Sequence, residues 1–330
     1  MSPASARTAS RWRALAADAI AAGYIGCIAA LATLIGPFYL LFPELGALSH
    51  DVLTRPRGAW ARQPFLLVAT PACTAVVGTF VTRTFSYNVI SIEVIVCLSI
   101  AIIAVLNSSI APALSAGLLP LVLGVRSWLY PVSITAGLVG LLVTLILWRW
   151  LTSERPVGPR DARPSNIDDI LEVRPRGLAW VPTLLVFVGV AGLGAQLTGL
   201  RFILFPPLVV IAYEMFGHPN SCPWALRPPT LPVACSATAF AGLAFYHAFG
   251  VGPVAAVATM AVGILVNKVT RVHMPPALAV GLLPLVMHNP AASYVASVAI
   301  GTSALTVCFV VQRQMFAHWQ ARRTRRSSPD

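Results

Sequence analysis

Apolar residues in this chain fall into long unbroken runs, without the two-residue alternation of a half-buried strand. Twelve runs recur, near 14–35, 37–50, 65–82, 89–106, 111–124 and 129–149, then near 178–198, 202–216, 229–248, 251–267, 275–287 and 292–312. Eight are long enough to cross roughly 30 Å of hydrocarbon as helix. The second and fifth run of each set hold only about 14 residues, roughly 21 Å of helix. These short runs carry Pro37, Pro43, Pro112, Pro120, Pro206, Pro207, Pro275, Pro276 and Pro284. Proline withholds an amide donor and frees the carbonyl four residues earlier. Lipid cannot satisfy that carbonyl, so a short proline-broken segment has to be buried among other helices or border a wet cavity.

The two sets of runs are copies of one pattern. Pro112-Ala113-Leu114-Ser115-Ala116-Gly117-Leu118-Leu119-Pro120-Leu121-Val122 lies 164 positions before Pro276-Ala277-Leu278-Ala279-Val280-Gly281-Leu282-Leu283-Pro284-Leu285-Val286. Nine of these eleven positions are identical, both prolines and the glycine included. Gly36, Leu41-Phe42-Pro43 and Asp51 match Gly199, Leu204-Phe205-Pro206 and Glu214. Trp60, Pro64, Gly78, Ser133 and Gly137 match Trp224, Pro228, Gly242, Ser297 and Gly301. The fold class that follows is an all-α, polytopic membrane protein of two parallel tandem repeats, each with four long and two short proline-broken helices.

Composition and charge sharpen this picture. With 57% hydrophobic and 10% charged residues and a mean hydropathy of +0.77, a soluble domain is excluded. The net charge of +12 comes almost wholly from arginine, since Lys268 is the only lysine. Basic flanks of this kind set topology and contact anionic lipid, so no nucleic-acid partner is expected. If every run crosses and the N-terminus is cytoplasmic, 20 of the 23 lysines and arginines lie inside, against 15 if the short runs are re-entrant. The positive-inside rule therefore favours twelve crossings with both termini in the cytoplasm of a plasma (inner) membrane. The chain divides into a basic tail (1–13), a first membrane repeat (14–149), a charged linker (150–177), a second repeat (178–312) and a basic tail (313–330). The first run follows a basic stretch as a signal peptide would, but its length and its mid-chain counterpart mark it as a retained helix. A short helix is expected within the linker near 166–172, and disorder after Arg313.

No catalytic motif is present, neither a Walker loop nor G-x-S-x-G, H-E-x-x-H or a dinucleotide fingerprint, so no enzyme and no cofactor are expected. Five of six cysteines lie in apolar runs, and His218 with Cys222 is too few ligands to signal a metal. Intramembrane polar groups are the better clues, because each costs about 2.5–3.5 kcal/mol to insert. Glu44, directly after Pro43 and opposite Pro207, either binds a proton or cation or caps a neighbouring helix near a wet end. Asp51 and Glu214 are expected to pair with arginines such as Arg55 and Arg57. Glu93 and His247 read as satisfied buried groups. Asn107, Ser108 and Ser109 precede one fifth run at Pro112; Lys268, Arg271 and His273 precede the other at Pro275 and Pro276. Proline-broken segments at matching places in two repeats point to a transport site, and helix starts with such neighbours suit an anion, unless these residues only cap and signal topology. Ser133 to Gly137, Ser297 to Gly301 and the Ala22, Gly26, Ala30 stripe read as close helix packing.

His273-Met274-Pro275-Pro276-Ala277 and its following apolar stretch resemble the signature of the HPP family of integral membrane proteins, named for a His-Pro-Pro motif. Phe205-Pro206-Pro207 through Gly242 is similar to that family's earlier helix–loop–helix. Methionine stands at the histidine position in the second repeat, and Ile110-Ala111-Pro112 retains one proline of the motif in the first. The resemblance spans roughly 36–149 and 199–312. It implies a transporter, with nitrite movement associated with some plastid and cyanobacterial members. The expected function is therefore a transporter or channel for a small, anionic solute, with lipid and a possible second copy as its partners. A membrane scaffold or assembly partner is the alternative. A transporter would need Glu44, Asn107 and His273 to converge on one cavity.

Overall fold

The computed structural model describes residues 3–36, 38–152, 174–175 and 177–326, with side chains for 12–36, 39–152, 174–175 and 177–315. The N-terminal half runs α1 (Pro3–Ile35), a 3₁₀ turn (Phe38–Leu40), α2 (Glu44–Thr54), α3 (Pro64–Thr84), α4 (Val89–Val105), α5 (Ala113–Leu123) and α6 (Leu129–Leu151). The C-terminal half runs α7 (Val181–Thr198), a 3₁₀ turn (Arg201–Leu204), α8 (Pro206–Gly217), α9 (Pro223–Leu226), α10 (Thr230–Phe249), α11 (Pro253–Thr270), α12 (Pro276–Leu282) with a 3₁₀ turn (Leu283–Val286), and α13 (Ala292–Arg326). No strand occurs among the described residues.

Prolines start several helices where an amide donor is not needed: Pro64, Pro206, Pro223, Pro253 and Pro276. Seven helices are long and apolar enough to cross a membrane, and Val89–Val105 is a shorter apolar helix beside them. Their outer faces carry bare apolar side chains such as Phe65, Ile90, Val105 and Leu197, as lipid contact requires. The chain is a helical membrane protein.

Both tails differ from expectation. α1 takes in the basic segment from Pro3, and α13 continues through Arg326, so the backbone after Arg313 is helical. Both stretches are rich in alanine and arginine, which are strong helix formers. The expected linker helix near 166–172 lies outside the described residues, as do 327–330.

The four short helices form the centre. Every residue of α8 from Pro206 to Phe216, of α12 from Pro276 to Leu282, and of α2 and α5 save the last is buried. Around them the two halves interlock reciprocally. α1 packs on α11 while α7 packs on α4, and α2 packs on α12 while α8 packs on α5.

Inside each half, α3 crosses α5 and α10 crosses α12 at a glycine pair. A Cβ on Gly78 would lie 1.8 Å from the Gly117 carbonyl oxygen, and one on Gly242 would lie 1.8 Å from that of Gly281. Gly137 sits against Leu45, and Gly301 against Leu208 and the Ile203 carbonyl, which is the close approach expected of the two serine–glycine stripes. Gly26 likewise meets Val257 of α11.

Side-chain contacts also fix which loops share a face. Arg83 in the last turn of α3 donates to the Arg126 carbonyl after α5, and Arg201 stacks on Tyr87. On the opposite face Asp18 of α1 meets His50 of α2 and Lys268 of α11, while Arg149 of α6 donates to the Pro56 and Ala61 carbonyls. A re-entrant α2 would leave its C-terminal end on the far face from Asp18. The short segments therefore lead the chain from one face of the bundle to the other, as the long ones do.

Candidate functional site

At the face that carries Asp18 and Lys268 a cavity of about 430 Å³ opens between the halves, lined by residues including Asp18, His50, Arg55, Lys268, Arg271 and His273. α1 and α2 supply one wall, and the C-terminal end of α11 with the segment before α12 supplies the other. Lys268 Nζ lies 2.5 Å from Asp18 Oδ2, and His50 Nε2 lies 3.1 Å from Asp18 Oδ1. Behind them Asp51 pairs with Arg55 and lies 3.2 Å from His273 Nε2. The rings of His50 and His273 face each other at 5.9 Å. The lining thus holds three fixed cations and two imidazoles against the single carboxylate of Asp18. Arg271 has a left-handed backbone (φ 53°) whose amide donates to the Lys268 carbonyl, while its guanidinium makes no hydrogen bond among the described residues. Asn107, its match in the N-terminal half, has the same conformation (φ 49°).

The reciprocal junction, where α7 and α8 meet α4 and α5, is built differently. Glu214 and His218 repeat the one-turn spacing of Asp51 and Arg55, with His218 Nδ1 3.1 Å from Glu214 Oε2. Yet Val181, Tyr213 and Ala104 stand where the first junction has Asp18, His50 and Lys268. Trp180 packs edge-on against Tyr213, with ring centroids 4.9 Å apart. Arg174 Nη1 donates to the Ala104 carbonyl at 3.2 Å, so this junction keeps one arginine and a Glu–His pair beside its rings but has no counterpart of the Asp18–Lys268 pair.

Glu44 lies deeper, at the first turn of α2, and is 2% exposed. Its Oε1 accepts a hydrogen bond from Ser115 of α5, while Oε2 has no partner among the described residues. From His50 at the cavity to Glu44 is six residues, about 9 Å along the helix axis.

The structure also shows how the broken helices keep their backbone satisfied. In α5 the Ala116 carbonyl has a proline, Pro120, where its helical donor would be. Tyr130 Oη of α6 donates to it at 2.8 Å. In α12 the Val280 carbonyl faces Pro284 in the same way, and Tyr294 Oη of α13 donates to it at 2.6 Å. All six residues are paired at an offset of 164.

No family model, curated protein or solved structure matches the chain.

Of the residues singled out from sequence, Lys268, Arg271 and His273 share the cavity, whereas Glu44 and Asn107 do not line it. The convergence of Glu44, Asn107 and His273 on one cavity is therefore not found: two 164-related segments, Asn107–Ser109 and Arg271–His273, sit at different junctions. Asn107 is exposed. Ser108 is buried, accepts from the Ile110 amide and bonds Thr70, and the Ser109 carbonyl accepts from Trp60 Nε1 at 2.9 Å, so both serve local capping. Pro112, Pro275 and Pro276 are buried at the helix starts.

Asp51 pairs with Arg55 as expected, but Glu214 takes His218 rather than an arginine. Glu93 is only half-buried, against Gly189, and His247 is exposed, so neither is an enclosed group. Among the described residues no three His, Cys, Asp or Glu side chains cluster as metal ligands. Sequence reasoning missed Asp18, His50, Tyr130 and Tyr294. The tyrosines carried a usable signal, each standing ten residues after a repeated proline.

Proposed function

We propose that this membrane protein is a transporter or channel for a small anionic solute. Its two halves are taken as duplicated units related by a pseudo-two-fold axis along the membrane normal, with the face that carries Asp18 and Lys268 cytoplasmic. The observation that carries the reading is the cavity of about 430 Å³ between the halves. Its cationic lining and the unpartnered Arg271 guanidinium favour a small anion, which Coulombic attraction would concentrate at the mouth. The buried proline-broken helices directly behind it, at matching places in both halves, are the arrangement expected around a transport pathway. A relationship to the HPP family, and with it nitrite as a first solute to try, belongs to the same proposal and rests on the motif around Met274-Pro275-Pro276. No chemistry beyond translocation is proposed.

The test is flux into proteoliposomes across a panel of small anions, nitrite included, for wild type, Lys268→Ala and Arg271→Ala. Saturable uptake of one anion, weakened in both variants, supports the reading. Background flux for every solute ends it. A second reading, a membrane scaffold, is favoured by one observation: the short helices pack on one another with only Glu44, Ser49 and Ser115 as polar contacts deep between them. Background flux together with a stable, specifically captured partner protein would favour that alternative.

A further inference from the structure

We propose that Glu44 is a proton-binding site that loads and unloads in each working cycle, so that anion movement is coupled to protons. The coupling rests on the transport reading; the proton site itself does not.

The geometry leaves a carboxylate at this place without a counter-charge. Ser115 satisfies Oε1, and Oε2 has no partner among the described residues. Apart from the exposed Arg13 and Cys27 of α1, the described titratable side chains of α1 and α6, which pack against α2, are committed elsewhere. Tyr24 of α1 donates to the Gly137 carbonyl, Tyr130 of α6 to Ala116 and, from the adjoining α13, Tyr294 to Val280. Asp18 of α1 is held by His50 and Lys268, and Arg149 of α6 is bound to the Pro56 and Ala61 carbonyls. α5 and α12 bring no ionisable side chain at all. On α2 itself, His50 and Asp51 are engaged at the cavity end.

The one compensating feature is the N-terminus of α2, worth about half a unit charge. Burying an unpaired carboxylate costs several kcal/mol, which that dipole does not offset. The described conformation is accordingly the proton-loaded one. Its carboxyl proton can pass only to water, and water must come from the cavity.

What separates the two is an apolar closure. A methyl on Gly46, between Glu44 and His50, would sit 2.5 Å from Leu282 Cδ1 of α12 and 3.0 Å from Met260 Sδ of α11. Both belong to the opposite half, so a relative movement of the halves would open or seal the path. The site occurs once per chain, because Pro207 takes the matching position in α8. One proton moving with one monovalent anion is electroneutral.

Reconstituted wild type and Glu44→Gln are compared by infrared difference spectroscopy through a pH titration, with Glu44→Asp as the conservative control. The expected result is the carbonyl band of a protonated carboxyl in wild type. It should be absent from Glu44→Gln, shifted in Glu44→Asp and reversibly lost at alkaline pH. No Glu44-dependent band, or a band that never titrates while the protein stays folded, overturns the proton site. In liposomes carrying a lumenal pH dye, inward anion flux should acidify the lumen, and Glu44→Gln should abolish that acidification. Anion flux without acidification, undiminished by Glu44→Gln, overturns the coupling and leaves transport standing. Absence of all flux sinks the transport reading and the coupling with it, while the infrared titration still decides the proton site.

Discussion

Replacing Tyr130 by Phe removes one hydroxyl and keeps the ring that packs edge-on against Tyr39 at 6.1 Å. The hydroxyl donates to the Ala116 carbonyl at 2.8 Å, and the tyrosine is fully buried. Pro120 denies that carbonyl its helical donor. Hydrogen bonds between transmembrane helices average about 0.6 kcal/mol, because the groups released usually find other partners. Here the carbonyl has no other donor within a fully buried helix, so the cost should approach that of a stranded buried acceptor, ~1–3 kcal/mol. Tyr294→Phe should cost as much, since Val280 and Pro284 repeat the arrangement with a 2.6 Å bond.

The decisive variant is Pro120→Ala, which restores an N–H four residues after Ala116. In that background Tyr130→Phe should lose most of its cost, leaving a coupling energy of about 0.5–3 kcal/mol. Unfolding midpoints in mixed detergent micelles measure all four corners of the cycle. An equal cost for Tyr130→Phe with and without Pro120 would refute the compensation argument.

Other expectations follow from the same geometry. Gly78→Ala and Gly242→Ala each place a methyl 1.8 Å from a backbone carbonyl oxygen. Each should destabilise by ~1–3 kcal/mol or more through overpacking. Gly23→Ala, with open space around it, should leave the melting temperature in detergent unchanged or raised; indistinguishable melts for all three would count against these crossings. Asp18→Asn removes partners of both His50 and Lys268, whereas the Lys268 side chain is 55% exposed. Lys268→Ala should therefore cost under about 1 kcal/mol, and Asp18→Asn more; the reverse order in thermal melts would mean that the ion pair is not as drawn. In a cysteine-free background, an impermeant thiol reagent should reach Lys268→Cys and Arg271→Cys from one side and Arg83→Cys and Arg126→Cys only from the other. Labelling of Lys268→Cys and Arg126→Cys from the same side would refute passage of the short segments between faces.

Much of the architecture was legible because lipid imposes a one-dimensional constraint. Segment limits read from apolar runs agree with α3 to α8 and α10 to α12 within a few residues, and proline at Pro64, Pro206 and Pro253 marks the starts directly, whereas α2 starts seven residues late and α9 falls in no run. The burial of the short helices followed from backbone satisfaction alone. The ends of α1 and α13 were not legible, because charge density says nothing about helicity when the residues are alanine and arginine.

The site was harder to read for a different reason. An internal offset says which residues are equivalent, not which segment of one half touches which of the other. Asp18 and Lys268 meet across 250 positions only because α1 packs on α11. Asn107 and Arg271 share a backbone conformation yet face different junctions. Glu44 was legible as an oddity through its mismatch with Pro207, while its Ser115 partner depended on how α2 and α5 cross.

The unequal junctions have a consequence for ancestry and engineering. An assembly of two identical single-unit chains must show the same surface at both contacts, so it could not have an Asp18–Lys268 pair at one and a Trp180–Tyr213 pair at the other. Linking the units in one polypeptide lifts that obligation, and each contact can drift under its own selection. If the halves are duplicated units, as proposed, splitting the chain at the linker should yield fragments that recognise each other but not themselves.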